Sequence, residues 1–262
     1  MHLPFEAGSF RMAMGLTAVA EADWLEADDA VPAQIATRVA LIARDPDAVI
    51  AALPGTEAMQ HELLEMLAAH LRLPWPACDR DPLAIVGGLV AEDFCLLRAS
   101  EDGPVLVAAV LCFPARWRLA EKLGRPLAAV HAPVPFYGER LAGPVDRFLD
   151  RLQPGRIAVR LNWSVVDDPA LFQPAPGPAK TGITAANAGE RLFLRVERQS
   201  FRRLPRTNTI AFGIRTHVSP LARVRDAGAA ARLNDAVRAM PDDMLAYKGI
   251  APFRATLLGY LA

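Results

Sequence analysis

The 262-residue chain is 52% hydrophobic, enough to bury one sizeable core, and a single domain over residues 1–262 is expected. Its 29 Lys and Arg balance 29 Asp and Glu, so no net field is available to hold nucleic acid or an anionic membrane. Cys78, Cys95 and Cys112 show no C-x-x-C pairing, which argues against zinc, an iron–sulfur cluster or a disulfide framework and fits a reducing, cytoplasmic setting; no apolar run reaches the ~20 residues that span a bilayer.

The first segment, LPFEAGSFRMAMGLTAV, reads as extended and turn-like. Within it MAMGLTAVA, after Arg11, imitates a short secretion signal, but Glu6 spoils the basic flank and structured sequence follows at once. Trp24 introduces a polar, helix-prone segment that wraps the core. Apolar residues recur at helical spacing over 34–53 and 56–72, with Gly55 between the two predicted helices and Thr56 available as N-cap. His70 shares a helical face with Leu63 and Leu67, the setting of a packed core histidine rather than a ligand. The period changes at FCLLRAS and VLVAAVLCF, which flank the turn cluster EDGP as a hairpin requires. Residues 116–123 are predicted as a short helix closed by Gly124, and GPVDRFLDRLQPG as another, with Pro144 at its start and Pro154-Gly155 as its stop. IAVRLNWSVV alternates, with Ile157, Val159, Leu161, Trp163 and Val165 on a buried face and Arg160, Asn162 and Ser164 on a polar one. Residues 169–180, PALFQPAPGPAK, are too rich in proline and glycine for a regular element. LFLRVERQS and NTIAFGIRTHV complete a three-stranded meander, and helices from about residue 221 finish the chain. A hairpin, then helices, then a meander predict an α+β sheet with its helices grouped on one side, built on a core of about 80–220 against which 31–72 and 221–262 pack.

Several familiar chemistries have no signature here. There is no G-x-G-x-x-G, Walker-type loop, H-E-x-x-H or G-x-S-x-G, which removes the usual nicotinamide or flavin sites, phosphoryl transfer, zinc hydrolysis and serine hydrolysis. CFPARWRLAEKLGRPLAAVHAPVPFY (112–137) is different. Pro133 and Pro135 fix their own φ and push the preceding residues to extended geometry, so His131 sits on a stiff loop after an apolar run. A haem asks a protein for an apolar slot, an axial ligand and cations for two propionates. His131 offers the ligand, and Arg116, Arg118, Lys122 and Arg125 offer charge; on pattern alone, a histidine beside prolines reads first as a plain loop residue. Arginines at 191, 195, 198, 202, 203 and 206 form a second constellation. Alternation puts Arg195, Glu197 and Gln199 on one face and Leu194, Val196 and Arg198 on the other, as either a solvated strand laced by Arg–Glu pairs or an anion site. Arg160 and Asn162 read as solvent-facing and Trp163 as core. Tyr137 either donates a phenolic proton into a pocket or is buried on a backbone partner, and Tyr247-Lys248-Gly249 reads as a helix end without chemistry.

Four blocks, FRMAMGL (10–16), CFPARWRLAEKLGRPLAAVHAPVP (112–135), RLNWSVVDDPALFQP (160–174) and LRVERQSFRRLPRTNTIAFGIRTHV (194–218), resemble the haem-dependent oxidative N-demethylase family, with MP and YKG segments near the end adding to the likeness. The resemblance implies a PAS-like fold holding haem b. It also implies a monooxygenase that acts on a small methylated amine such as dimethylamine and releases formaldehyde, using O₂ and electrons passed from NAD(P)H by a separate reductase. His131, in H-A-P-V-P, matches the proximal ligand. Arg116, Arg118, Arg195, Arg198 and Arg202 fall in or beside the matching motifs and are taken as cofactor-binding. Glu197 and Tyr137 are taken as catalytic, Glu197 attracting or deprotonating the amine. His217 stands where the family pattern has a tyrosine after I-R-T and is the poorer ligand candidate. The alternatives are a haem-based sensor or gas-binding module without turnover, and a non-haem member binding folate or another anion through its arginines.

Overall fold

A computed structural model describes residues 1–5, 8–74, 80–178 and 180–262. Glu6 of the would-be signal, Cys78 and Ala179 of the proline-rich loop lie outside the described residues. Seven strands form one antiparallel sheet: β1 (Thr17–Val19), β2 (Ile50–Ala52), β3 (Asp93–Arg98), β4 (Val105–Val110), β5 (Ile157–Val166), β6 (Phe193–Arg203) and β7 (Ile210–Pro220). Their order is β1-β5-β6-β7-β3-β4-β2. The predicted hairpin β3–β4 and meander β5–β6–β7 are thus joined where β3 pairs with β7, with Cys95 opposite Phe212. This is the α+β antiparallel arrangement predicted from the change of hydrophobic period.

Three helices cover one face: α1 (Val31–Arg44), α3 (Glu57–His70) and α4 (Pro82–Leu89). Leu41, Leu63, Leu67 and Val86 pack there against Phe94, Leu96, Ala108 and Val110 of the sheet. Between α1 and α3 the predicted continuous helix 34–53 is corrected. Asp45, extended ahead of Pro46, ends α1, leaving the single turn α2 (Pro46–Val49) before Ile50 turns outward to pair with Val110 as an edge strand. The other face is covered at one end by the short helices α5 (Leu127–Val130), α6 (Tyr137–Arg140) and α7 (Ala142–Arg151), so helices lie on both sides. Leu127, Leu149 and Leu152 pack there on Cys95, Leu97, Phe201 and Ile214. The helix predicted over 116–123 is only a 3-10 turn, Leu119–Glu121. Arg116 has a left-handed φ of 65° and Arg118 is extended, so no helical turn begins before Leu119. A further turn, α8 (Ala188–Arg191), precedes β6. After β7, α9 (Ala222–Asp226), α10 (Ala230–Ala239), α11 (Asp242–Tyr247) and α12 (Arg254–Leu261) build a third cluster around Val165, Leu194 and Val196.

Two polar devices fix this frame. Trp24 is fully buried, edge-on to His70 and Phe94 and beneath the guanidinium of Arg202, whose carbon lies 4.2 Å from the ring centroid. Arg198 holds the carbonyls of Asp23 and Trp24, which ties the N-terminal segment to β6. Inside the core, Arg38 and Asp93 form a wholly buried ion pair. Asp93 also accepts the backbone N–H groups of Cys112 at 2.6 Å and Phe113 at 2.9 Å, so a charge that burial alone would forbid is solvated by protein donors. Among the described residues no helix is long and apolar enough to cross a membrane.

Candidate functional site

The site is set by the register of β5 on β6. On the face away from α1, α3 and α4, Arg160, Asn162 and Ser164 stand opposite Gln199, Glu197 and Arg195, and Glu197 in turn opposite Thr216. These positions lie mid-sheet, where side chains are ordinarily core. Arg160, Asn162, Glu197 and Gln199 are nevertheless only half-buried, and Phe212 beside them likewise. The sheet is therefore a partly open floor, with Phe212 and Ile214 supplying its apolar part.

His131 overhangs this floor from the end of α5. The Leu127 carbonyl, one of the acceptors left free at the end of so short a helix, takes the His131 backbone N–H at 3.0 Å and faces Nδ1 at 2.9 Å. A carbonyl only accepts, so Nδ1 carries the proton and Nε2 is left with its lone pair. The proline loop then turns at Phe136, φ 62°, and places the buried Tyr137 against the imidazole, stacked at 4.6 Å and 12°. Burial, opposed by the Leu127 bond but helped by Lys122 and Arg160, holds the His131 pKa below the ordinary histidine value. The ring is a neutral, single-tautomer donor.

Positive charge surrounds it. Arg160 has its Nε buried without a partner among the described residues, and burial lowers its pKa despite Glu197, Tyr137 and Tyr247 nearby. Lys248, from the end of α11, reaches over β5 to the Trp163 carbonyl at 2.5 Å and the Asn162 Oδ1 at 3.0 Å. Burial brings its amine down to about 8, in spite of Glu197. Lys122 lies over the Trp117 ring at 4.1 Å, and burial lowers its pKa too. Glu197 sits in the field of Lys122, Arg160, Arg195 and Lys248. Its Oε2 accepts from Asn162 at 3.3 Å and Gln199 at 2.9 Å, while its Oε1 accepts no hydrogen bond among the described residues. Burial pushes the Tyr137 phenol up to about 12, with Asp146 adding to the rise, so it stays protonated.

The structure brings together only part of the predicted set. His131, Tyr137, Arg195 and Glu197 gather on this face. Arg195 is spent on the chain itself, donating to the carbonyls of Phe113, Ala170 and Leu171, although its Nε has no partner. Arg116 meets Asp167 at 3.3 Å and crosses Gly249 so closely that a Cβ there would come within 2.1 Å of its Nη1. The glycine of the YKG segment is thus the space Arg116 occupies. Arg118 and Arg125 are exposed. Arg198 and Arg202 face the other side of the sheet, on the Asp23 and Trp24 carbonyls and on Glu21. His217 also faces away from His131. Arg160 and Lys248 belong to the site although the sequence reading gave neither a role there. Arg160 was visible only as an arginine on the polar face of a strand, and Lys248 is brought in by a contact 86 residues distant in sequence.

A haem needs an imidazole with one free nitrogen, an apolar surface and donors for two carboxylates. The residues fit on each count: the free Nε2 of His131, Phe212 and Ile214, and the cations Arg160, Lys248 and Lys122, with the orphaned Arg160 Nε a buried donor awaiting an acceptor. Fold and site together define an α+β sheet protein whose half-buried sheet face joins a neutral imidazole to surplus positive charge, the class suited to an anionic, metal-bearing prosthetic group. Residues 72–258 match the family model described as haem-dependent oxidative N-demethylase, alpha subunit-like, and the chain belongs to that family.

Proposed function

We propose that the chain binds haem b through Nε2 of His131 and demethylates a small methylated amine such as dimethylamine. The observation that carries this reading is the Nδ1–Leu127 bond, which fixes the tautomer a proximal ligand requires. Bound haem would supply the activation of O₂ and the oxidation of the N-methyl C–H bond. The overall change is R₂N–CH₃ + O₂ + 2e⁻ + 2H⁺ → R₂NH + HCHO + H₂O, the electrons coming from NAD(P)H through a separate reductase.

The chain's own residues bind, orient and move protons. Tyr137 holds the His131 ring in plane and is a positioning residue. Arg160, Lys248 and Lys122 receive the propionates. Arg116 and Arg195 keep the loop after β5 docked and so shape the cleft wall. Glu197 attracts the alkylammonium and accepts an N–H proton at the free Oε1, which leaves the nitrogen lone pair to assist oxidation of the methyl group. Arg118, Arg198 and Arg202 have no part in this cleft. Residues of about 80–220 form the haem-binding core, and the buried free thiols of Cys95 and Cys112 suit a reducing cytoplasm.

The test uses the full chain supplied with haem. Its absorption spectrum should differ from that of His131→Ala, and with O₂, NADPH, a reductase and dimethylamine it should release formaldehyde. Identical spectra would refute His131 as ligand, and a haem-loaded chain that binds O₂ but releases no formaldehyde from any methylated amine would make it a gas-binding module.

A further inference from the structure

A second cluster of ligating groups lies across the sheet from the cleft, and nothing in it depends on haem. Alternation along β7 places Thr216 beside Glu197 and His217 on the opposite face, against the N-terminal segment. There, Nε2 of His217 lies 2.8 Å from Oε2 of Glu26, and Nε2 of His2 lies 2.8 Å from Oε1 of the same carboxylate. The two rings meet edge-on at 5.0 Å, and the three ligand atoms all lie within 4.8 Å of one another. The side chains are 30%, 22% and 21% exposed for His2, Glu26 and His217, so an ion can reach them from solvent.

The chemistry of this set is selective. Two imidazoles and one carboxylate suit borderline divalent transition ions such as zinc, and disfavour Ca²⁺ and Mg²⁺, which want oxygen alone. The surroundings of His217 add a second sign. Its other nitrogen, Nδ1, faces Oδ2 of Asp28 at 3.6 Å, and Asp28 is itself held by Arg215 at 2.8 Å. A carboxylate behind a ligating histidine attracts its Nδ1–H, aims the ring and leaves Nε2 to the metal. Glu26 meets one imidazole at each of its oxygens, so its carboxylate and the two ring nitrogens converge on one point. Two guanidiniums, Arg198 with its Nε 3.7 Å from Glu26 Oε1 and Arg215 at 2.8 Å from Asp28, balance the two carboxylates, so the imidazole nitrogens must supply most of the attraction for an ion.

We propose that His2, Glu26 and His217 form a site for one divalent transition ion of the zinc class, with Asp28 orienting His217, and that the bound ion clamps the start of the chain onto β7. A shift of each histidine to its Nδ1–H tautomer frees both Nε2 lone pairs without net proton loss, and water completes the coordination.

Zinc and cobalt titrations on the full chain, stripped with chelator and carrying its own N-terminus without an affinity tag, test this. One equivalent of Zn²⁺ should bind and raise Tm, and Co²⁺ should give visible d–d bands. His2→Ala and His217→Ala should each abolish stoichiometric binding, Asp28→Asn should weaken it by about 10–100-fold, and His131→Ala should leave it unchanged. Because His217→Ala alters a central strand, His2→Ala at the chain start decides. No zinc bound by the parent, or equal binding by His2→Ala, would overturn the proposal.

Discussion

The imidazole of His131 and the phenol ring of Tyr137 lie almost parallel, 12° apart, so that one aromatic face sets the plane of the other. Truncation to Tyr137→Ala removes both a buried ring and the guide for the imidazole. It should lower stability by about 3–5 kcal/mol and leave haem loosely held. Tyr137→Phe keeps the stack and should change neither. Guanidinium unfolding midpoints and a haem titration of the three proteins check this.

Arg160 and Arg198 lie on neighbouring strands and opposite faces, and their substitutions should separate binding from folding. Among the described residues the Arg160 side chain makes no hydrogen bond and its Nε is orphaned, so Arg160→Met should preserve or raise stability while weakening haem affinity about tenfold, as expected for ~1.4 kcal/mol. Arg198→Met releases the Asp23 and Trp24 carbonyls and should lower Tm without changing haem affinity. If Arg160→Met bound haem as tightly as the parent, the propionate role would be wrong.

Lys248 makes a signed prediction about pH. Burial lowers its folded amine to about 8 against an ordinary 10.5. Between those values the unfolded chain holds a proton that the folded chain has shed, so unfolding free energy should rise with pH across that window. The buried thiols of Cys95 and Cys112, pushed up to about 12 by burial, act in the opposite sense. The contribution of Lys248 is therefore the difference between parent and Lys248→Met in urea melts from pH 7 to 10. Over the same interval the affinity for an anionic cofactor should fall more steeply in the parent than in the variant, which keeps only Lys122 as a titrating cation of the site.

The Arg38–Asp93 pair should behave as a unit. Removing either charge strands the other in the core, and Arg38→Met or Asp93→Asn should each cost about 3–5 kcal/mol. The double variant should recover part of that loss, since no charge is left stranded and the asparagine Oδ1 still accepts from one of the Cys112 and Phe113 N–H groups, which meet different oxygens of Asp93. A double-mutant cycle in denaturant measures the coupling.

Much of the sheet was legible because period-two alternation is local: EDGP marked the β3–β4 turn, and the polar face of β5 was assigned residue by residue. Ile50–Ala52 was not, because three apolar residues after a helix carry no period of their own and only pairing with β4 makes them a strand. The site divides in the same way. His131 was marked by its prolines and Glu197 by alternation with Arg195. The same alternation set Arg198 on the far face, against its selection as a cofactor ligand from its motif. Lys248 could not be found locally, since a helix end acquires meaning only from the strand it folds onto. His2 and Glu26 reach His217 only through the fold of the first 26 residues over the sheet.

The partial pairing of β5 has a consequence for how molecules meet one another. β1 pairs with only Ile157–Val159 at the outer edge of that ten-residue strand. A bare backbone edge is an invitation for a second chain to add its own strand, the first step of fibre growth. The Lys248 ammonium, seated on the Trp163 carbonyl and backed by the Ser164 hydroxyl bond to the Lys248 carbonyl, occupies part of that remaining edge. A residue that lends charge to the site therefore also covers part of a strand that β1 leaves unpaired.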